Sequence, residues 1–319
     1  MHIVVVCGGP SVEHEVSRVS GSEVFKALRS TFNEVSLVEL DSTIDKTLRS
    51  LAPDVVFPAL HGPPGEDGSF QGMLEILKIP YVGSGVRASA LAMDKTVAKH
   101  LFRGSNLPVA EDIVVKRTDS LEISVGRIIE NLGNDVVIKP SSQGSALGVM
   151  FAHDKKSLRS AIEQAFLLDE NILVEKKIEG KEVTVGILER DGPMAFPPIE
   201  IYTPENSWYD YEHRYTPGKS EHIIPAQLPE LQFNRTIEIA RLAFSALGCR
   251  DLGRVDFVVP EIGEPVLLEI NTLPGMTPTS LYPDGARAAG ISFEKLTEYL
   301  VRVAANRKKV LEAGEIELS

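Results

Sequence analysis

With 319 residues, 43% of them hydrophobic and 24% charged, the chain has the composition of a globular protein able to bury a sizeable core, and its length predicts two or three domains. Its 45 acidic and 33 basic residues give a formal charge of −12, which argues against a nucleic-acid partner because phosphate backbones need a basic surface. Cys7 and Cys249 lack CxxC spacing, which argues against a disulfide framework or zinc site; no apolar run reaches membrane-span length and no secretory signal opens the chain, so a cytoplasmic protein without membrane contact is expected.

The first segment predicts a strand at 3–7, a Gly-Gly-Pro-Ser loop, a helix at about 14–29, a strand at 35–39, a helix at 44–50 and a strand at 54–60. This alternation predicts a doubly wound parallel sheet with helices on its faces, over about residues 1–90. Ligands of such sheets lie beyond the carboxyl ends of the strands, where the loops at 8–15 and 61–68 fall. The dinucleotide fingerprint fails here: counting from Gly8, Pro10 and Glu13 occupy positions where GxGxxG needs glycine, which disfavours a nicotinamide enzyme. Glu13 reads either as a ligand-loop acid or as a first-turn acid favoured by the helix dipole. His61 reads either as a site residue or as a hydrogen-bonded core histidine.

A break near 83–94 leads into a second segment, about 91–180, with a helix at 94–104, strands near 112–116, 135–139 and 149–152, a helix at 155–167 and a strand at 172–176. Lys139 ends Asp-Val-Val-Ile-Lys and precedes Pro-Ser-Ser-Gln-Gly-Ser-Ala-Leu-Gly. A strand follows, so this is a Gly-rich hairpin tip; the Walker string GxxxxGK[ST] is absent. Small residues let backbone N–H groups approach phosphates and let the tip close as a lid, although an ordinary flexible hairpin has the same composition. Lys95, opening the 94–104 helix, is a second candidate phosphate cation or else a surface lysine. Glu175-Lys176-Lys177-Ile178 ends an apolar strand and offers backbone groups to an adenine edge, with Glu182 accepting from ribose hydroxyls. Glu and Lys are also common surface residues.

The third segment, about 181–319, predicts a strand at 182–188, a helix at 231–247 stopped by Gly248, a hairpin within 250–281 and an amphipathic helix carrying Phe293, Leu296, Leu300 and Val303. From about Glu312 the terminus is expected to fray. The hairpin carries most information. Residues two apart share a strand face, and a reversal centred on Ile262 and Gly263 sets Asp256 opposite Glu269 and Arg254 opposite Asn271. Val255, Phe257, Leu268 and Ile270 then form an apolar opposite face. Two carboxylates and an amide oxygen are hard donors suited to Mg²⁺, which takes few protein ligands plus water and phosphate oxygens; a solvated hairpin face is the plain alternative.

Seven strings in this order resemble the D-alanine–D-alanine ligases of the ATP-grasp superfamily. They are Gly-Gly-Pro-Ser-Val-Glu-His-Glu-Val-Ser (8–17), Leu-His-Gly with Gly-Glu-Asp-Gly (60–68), Met-Asp-Lys (93–95), Lys-Pro-Ser with Gly-Ser-Ala-Leu-Gly (139–148), Tyr-Asp-Tyr-Glu (209–212), Gly-Arg-Val-Asp (253–256) and Glu-Ile-Asn-Thr-Leu-Pro-Gly-Met-Thr (269–277). The resemblance implies an α/β and α+β protein with an ATP-grasp fold behind the doubly wound N-terminal domain. It implies ATP-dependent joining of two D-alanines for peptidoglycan through an acyl phosphate, with D-lactate as nucleophile or another carboxylate–amine ligation as alternatives, and a homodimer. It further implies ATP contacts at Lys95, Lys139, Ser145, Glu175, Lys176, Ile178, Glu182 and Arg214. Two Mg²⁺ ions, replaceable by Mn²⁺, would sit on Asp256, Glu269 and Asn271. Glu13, linked to Ser145 and Tyr215, would hold the first substrate's ammonium, with His61 near its carboxylate. Arg254 and the Gly275 N–H would serve the oxyanion, and Ser280 with the Leu281 backbone the second substrate's carboxylate. Tyr215 favours an amine nucleophile over a hydroxyl. Arg214 departs from the family's usual Lys at that place, and its planar fork presents charge differently.

Overall fold

The computed structural model of the chain describes residues 1–203 and 219–314, with side chains as far as 307. Strand β1 (His2–Cys7) runs Ile-Val-Val-Val through its centre, all fully buried, as a parallel strand covered on both faces requires. It pairs in parallel with β2 (Glu34–Glu39) and β3 (Val55–Pro58) in the order β2-β1-β3, flanked by α1 (His14–Arg29) and α2 (Ile44–Leu51). The predicted alternation is therefore present.

Two helices follow that the sequence reading lacked, α3 (Ser69–Ile76) and α4 (Val86–Met93). The expected break at 83–94 is thus largely helical. Gly83 at φ +102 makes the turn, and small residues Ala88, Ser89 and Ala92 on α4 let it pack closely instead of interrupting the chain. At Asp94 the backbone becomes extended, and the carboxylate accepts from Thr96 N at 2.9 Å and Val97 N at 3.2 Å, starting α5 (Lys95–Gly104).

A second, wholly antiparallel sheet has the order β4-β7-β5-β6, from β4 (Asp112–Lys116), β5 (Val136–Pro140), β6 (Met150–Ala152) and β7 (Asn171–Lys176). Helices α6 (Leu121–Leu132), also missed by the sequence reading, and α7 (Lys155–Ala165) cover one face through Val125, Ile128, Leu158 and Ile162.

The third sheet has the order β11-β10-β8-β12-β13, with β9 beside β8, formed by β8 (Lys181–Glu189), β9 (Pro193–Ala195), β10 (Ile199–Tyr202), β11 (Glu221–Ile223), β12 (Leu252–Val259) and β13 (Val266–Asn271). Against it lies α8 (Glu230–Leu247), ended by Gly248 at φ +70. Ala88, Ala98 and Phe102 of α4 and α5 enter the same core as Val185, Ala243 and Phe257, so these helices pack with the third sheet. Helices α9 (Leu281–Ala288) and α10 (Phe293–Gly314) close the chain. Leu296 and Leu300 of α10, in the predicted phase, share a core with Ile3, Val5 and Leu28. The helix is continuous to Gly314; residues 315–319 lie outside the described ones.

The hairpin has the predicted register, Arg254 opposite Asn271, Val255 opposite Ile270 and Asp256 opposite Glu269. It then departs from it. An irregularity between Asp256 and Phe257 pairs Phe257 with Leu267, so Leu267 joins the core and Leu268 turns to the other face. The extra residue of a β-bulge reverses alternation beyond it, which corrects the expectation that Leu268 faces inward.

Candidate active site

A cleft of about 840 Å³ opens between the second and third sheets. Lys95, Lys139, Glu175, Lys176, Ile178 and Glu182 all line it, together with Glu269 and apolar Val137, Ile201 and Leu268. Six of the eight sequence-named nucleotide residues thus converge although they come from α5, β5, β7, the loop after β7, and β8; Ser145 is not among the lining residues, and Arg214 lies outside the described ones. Bulging of β13 is what brings Leu268 into this wall.

The cations of the cleft are held by acids. Lys139 Nζ lies 2.5 Å from Glu175 Oε2, and buried Lys99 meets Oε1 of the same carboxylate. Burial pushes the Glu175 carboxyl up, but Lys139 and Lys99 outweigh it and bring the group down to about 2. Burial likewise lowers the Lys139 ammonium, and Glu175 more than reverses that. Lys95 Nζ donates to the Gln143 carbonyl at 2.5 Å in the Gly-rich tip and stands 3.3 Å from Glu269 Oε2.

On the polar face of β12 and β13, Arg254 donates from Nε and Nη2 to the two Asp256 oxygens at 2.9 and 2.8 Å. Asp256 also accepts from Thr184 Oγ1 at 2.6 Å and Asn271 Nδ2 at 3.1 Å. A cavity of about 40 Å³ touches Arg254, Asp256, Glu269 and Leu281, so the hairpin groups face the beginning of α9. This placement removes the solvated-face alternative: the Arg254 and Asp256 side chains are 12% and 14% exposed.

At the carboxyl ends of β1 and β3, Glu13 is 5% exposed and makes no cap bond to α1; its carboxylate accepts from Ser145 Oγ of the Gly-rich tip. A first-turn acid serving only the helix dipole would point to solvent. The Gly-rich tip carries two non-glycine residues with left-handed backbone, Ser145 at φ +46 and Ala146 at φ +59. Gly62 passes so close that a Cβ there would come 2.8 Å from Glu13 Oε2. His61 is buried, its Nε2 3.1 Å from Ser20 Oγ, and Ser20 accepts from Met276 N at 3.2 Å. Burial pushes the imidazole down to about 4, with Arg254 acting the same way. The core-histidine reading of His61 holds: it is buried and bonded, and it feels the charge of Arg254 on the hairpin. Gly275 precedes that anchored amide, and Ser280 Oγ accepts from Thr277 N at 3.0 Å at the start of α9. Tyr215 and Arg214 lie outside the described residues.

Four contributors escaped the sequence reading. Ser20 stands with Ser17 and Val24 on the buried face of α1, and a polar residue in that phase was the available signal. Glu66 accepts from Gly62 N at 2.6 Å; burial first, then Glu13, pushes its carboxyl up to about 8. Thr184 and Lys99 gave weaker signals, a threonine in a strand and a lysine within an apolar helix face.

Comparison with known proteins agrees with this geometry. A family profile described as D-ala D-ala ligase C-terminus matches residues 101–302, and one described as D-ala D-ala ligase N-terminus matches 41–84. The D-alanine–D-alanine ligase of Desulforamulus reducens is 44% identical over 309 residues, 95% of this chain and 98% of that protein. That of Geobacter sulfurreducens is 45% identical over 313 residues, 98% of this chain and 96% of the relative. Among solved structures, the Bacillus anthracis D-alanine–D-alanine ligase complexed with ATP superposes with a TM-score of 0.83 at 32% identity, covering 98% of this chain and 99% of that one. The VanG D-Ala:D-Ser ligase of Enterococcus faecalis gives 0.82 at 30%, covering 95% and 99%. Matched along nearly its whole length in sequence and fold, the chain belongs to the D-alanine–D-alanine ligase family.

Proposed function

We propose that this cleft carries out the family's ATP-dependent ligation of two D-alanines to D-alanyl-D-alanine, for peptidoglycan, through a D-alanyl phosphate. One observation carries the assignment of parts: Arg254, Asp256, Glu269 and Asn271 share a face that meets Lys95 and Lys139 across the cleft. A carboxylate attacking a triphosphate brings two anions together, so the reaction needs concentrated positive charge. Lys139 and Lys95 supply it to the phosphates, with Ser145 beside them; by the family resemblance Arg214, outside the described residues, would add a further cation. Glu175, Lys176 and Ile178 present backbone to the base, and Glu182 takes the ribose.

Glu13 receives the ammonium of the first D-alanine, and Ser145 holds the Gly-rich tip to it; by the family resemblance Tyr215, outside the described residues, would join them. Neutral His61 lies beside that substrate's carboxylate without adding charge. When the second amine attacks the acyl carbon, the developing oxyanion is met by Arg254 and the Gly275 N–H. Ser280 and the Leu281 backbone hold the second carboxylate at the N-terminal end of α9, where the helix dipole favours an anion.

The donor set fits magnesium. Two carboxylates and one amide, with no cluster of three His, Cys, Asp or Glu suited to a metal among the described residues, leave most coordination positions to water and phosphate oxygens. Asp256, Glu269 and Asn271 would hold two Mg²⁺ ions, or Mn²⁺ in their place, and bound metal would supply positive charge to neutralise phosphate.

No helix among the described residues is long and apolar enough to cross a membrane, and we place the protein in the cytoplasm as a homodimer joined through its first segment. Its working divisions are 1–90, 91–180 and 181–319, with α4 and α5 packed onto the third.

The test is phosphate release with ATP and D-alanine, L-alanine, or D-alanine mixed with D-lactate or D-serine, read with product mass. D-Alanyl-D-alanine should dominate. Glu269→Gln should abolish turnover in a protein that melts like wild type; near-native turnover would sink the metal assignment.

A further inference from the structure

Lys99 has no part in the ligation described above, yet it is 2% exposed and sits beside the cleft. It follows Lys95 by one turn of α5, between Ala98 and Phe102 of the core. Its ammonium meets Glu175 Oε1 and stands 3.6 Å from Asp112 Oδ1, while Arg103 also pairs with Asp112. A buried ammonium costs several kcal/mol unless well paired, and burial does lower the Lys99 pKa. Satisfying Glu175 does not require it, because Lys139 already occupies the other oxygen of that carboxylate at 2.5 Å.

Lys99 and Lys139 therefore compete for one anion. Without Lys99, the whole charge of Glu175 would fall on Lys139 and draw it into the wall of the cleft. With Lys99 in place, the Glu175 charge is shared, and Lys139 is anchored without being fully neutralised. The same contact ties α5 to the end of β7, directly before Lys176. Lys95 N donates to the Ser141 carbonyl at 2.9 Å, and Ser141 Oγ to Asp94 Oδ1 at 2.7 Å, so α5 is joined to both strands that flank the cleft.

We propose that Lys99 is a positioning residue for the nucleotide: by sharing Glu175 it keeps Lys139 available to a phosphate and fixes the segment that faces the base. The inference rests on reading the cleft as the ATP site. It assigns Lys99 no contact with either substrate and predicts a defect confined to ATP.

The experiment measures steady-state constants and melting temperatures for Lys99→Met, Glu175→Gln, the double variant and Lys139→Met. In Lys99→Met the KM for ATP should rise about tenfold or more, the scale of one charge-assisted hydrogen bond, with kcat and the KM for D-alanine within about twofold. Removing the carboxylate as well should return the KM for ATP to within about threefold of the Glu175→Gln value, because Lys139 is no longer overheld. An unchanged KM for ATP in Lys99→Met, or a double variant no better than Lys99→Met, overturns the proposal. Should Lys99→Met not fold, the uncharged pair decides: a KM for ATP as high as in Lys139→Met overturns it, and one near Glu175→Gln supports it. If Lys139→Met binds ATP normally, the assignment of Lys139 to phosphate fails, and the inference falls with it. If Lys139→Met is impaired while Lys99→Met is not, only the role of Lys99 is lost.

Discussion

Ser145 donates its hydroxyl to Glu13, joining the Gly-rich tip of the second sheet to the first helix across 132 residues. The tip keeps left-handed backbone at Ser145 and Ala146, a conformation costing residues with side chains about 1–2 kcal/mol each. A bond to a carboxylate is strong enough to offset that. Ser145→Ala should lower kcat/KM for the first D-alanine by about 10- to 100-fold, as loss of a hydrogen bond to a charged group predicts. Ser145→Gly removes the same bond but relieves the backbone, so it should melt higher than Ser145→Ala and be equally slow. Wild-type kinetics in both variants would deny the tether any part in catalysis.

His61 makes a pH-dependent contribution whose sign follows from its pKa of about 4, lowered chiefly by burial from the ordinary 6.5. Below 6.5 the unfolded chain takes up a proton that the folded ring refuses. Stability is intact above 6.5 and declines as pH falls toward 4, by at most about 3 kcal/mol. Glu66 has the opposite slope: raised to about 8, mainly by burial and then by Glu13, it loses stability as pH rises from 4.5 toward 8. His61→Gln should therefore flatten only the acid side. Urea midpoints at pH 7.5 and pH 5 measure this, and identical differences in variant and wild type would contradict it.

The hairpin was legible because its information is local. Alternation has period two, the Glu-Ile-Gly-Glu-Pro reversal sets the turn, and together they place Asp256 opposite Glu269. The bulge just beyond was not legible, since it depends on how β12 and β13 twist together, and it moved Leu268 from core to cleft. Helix α4 was read as a break because the glycines before it outweighed a run of small residues whose helical packing depends on β13 and α8. Glu13 and His61 were ambiguous in composition; burial and the Ser145 and Ser20 bonds show both side chains turned inward, and their assignment to substrate comes from the family resemblance. Lys99 was passed over because lysine is ordinarily a surface residue; only the anions of β4 and β7 explain its burial.

Gly275 needs its missing side chain. A Cβ there would lie 2.7 Å from Ser280 Oγ, which is bonded to Thr277 Oγ1 at 2.7 Å. Gly275→Ala should displace the Gly275 N–H and lower kcat about 100-fold, typical of losing an oxyanion donor. Adding Ser280→Ala opens the space, so kcat should recover while the KM for the second D-alanine rises, because the proposed carboxylate anchor is gone. If kcat does not recover, crowding by Ser280 is not the cause.

Arg307 of α10 locks the first and third sheets together. Its Nη1 and Nη2 donate to Asp251 at 2.5 and 2.9 Å, and Nη2 donates to the Tyr81 carbonyl at 2.5 Å. Asp251, whose side chain is fully buried, also accepts from Gly83 N at 2.7 Å. Replacing only the arginine strands that carboxylate, a change costing about 3–5 kcal/mol where a buried pair is broken. Arg307→Met should therefore unfold at markedly lower urea concentration, with both substrate KM values unchanged at temperatures where it stays folded. Asp251→Asn keeps an acceptor for Gly83 and tolerates the φ of +63 at this position. Combined with Arg307→Met, it should restore part of the loss, because the double variant buries no unpaired charge. Additive losses in the two single variants and the double would show instead that the residues act independently, and that helix packing alone joins the sheets.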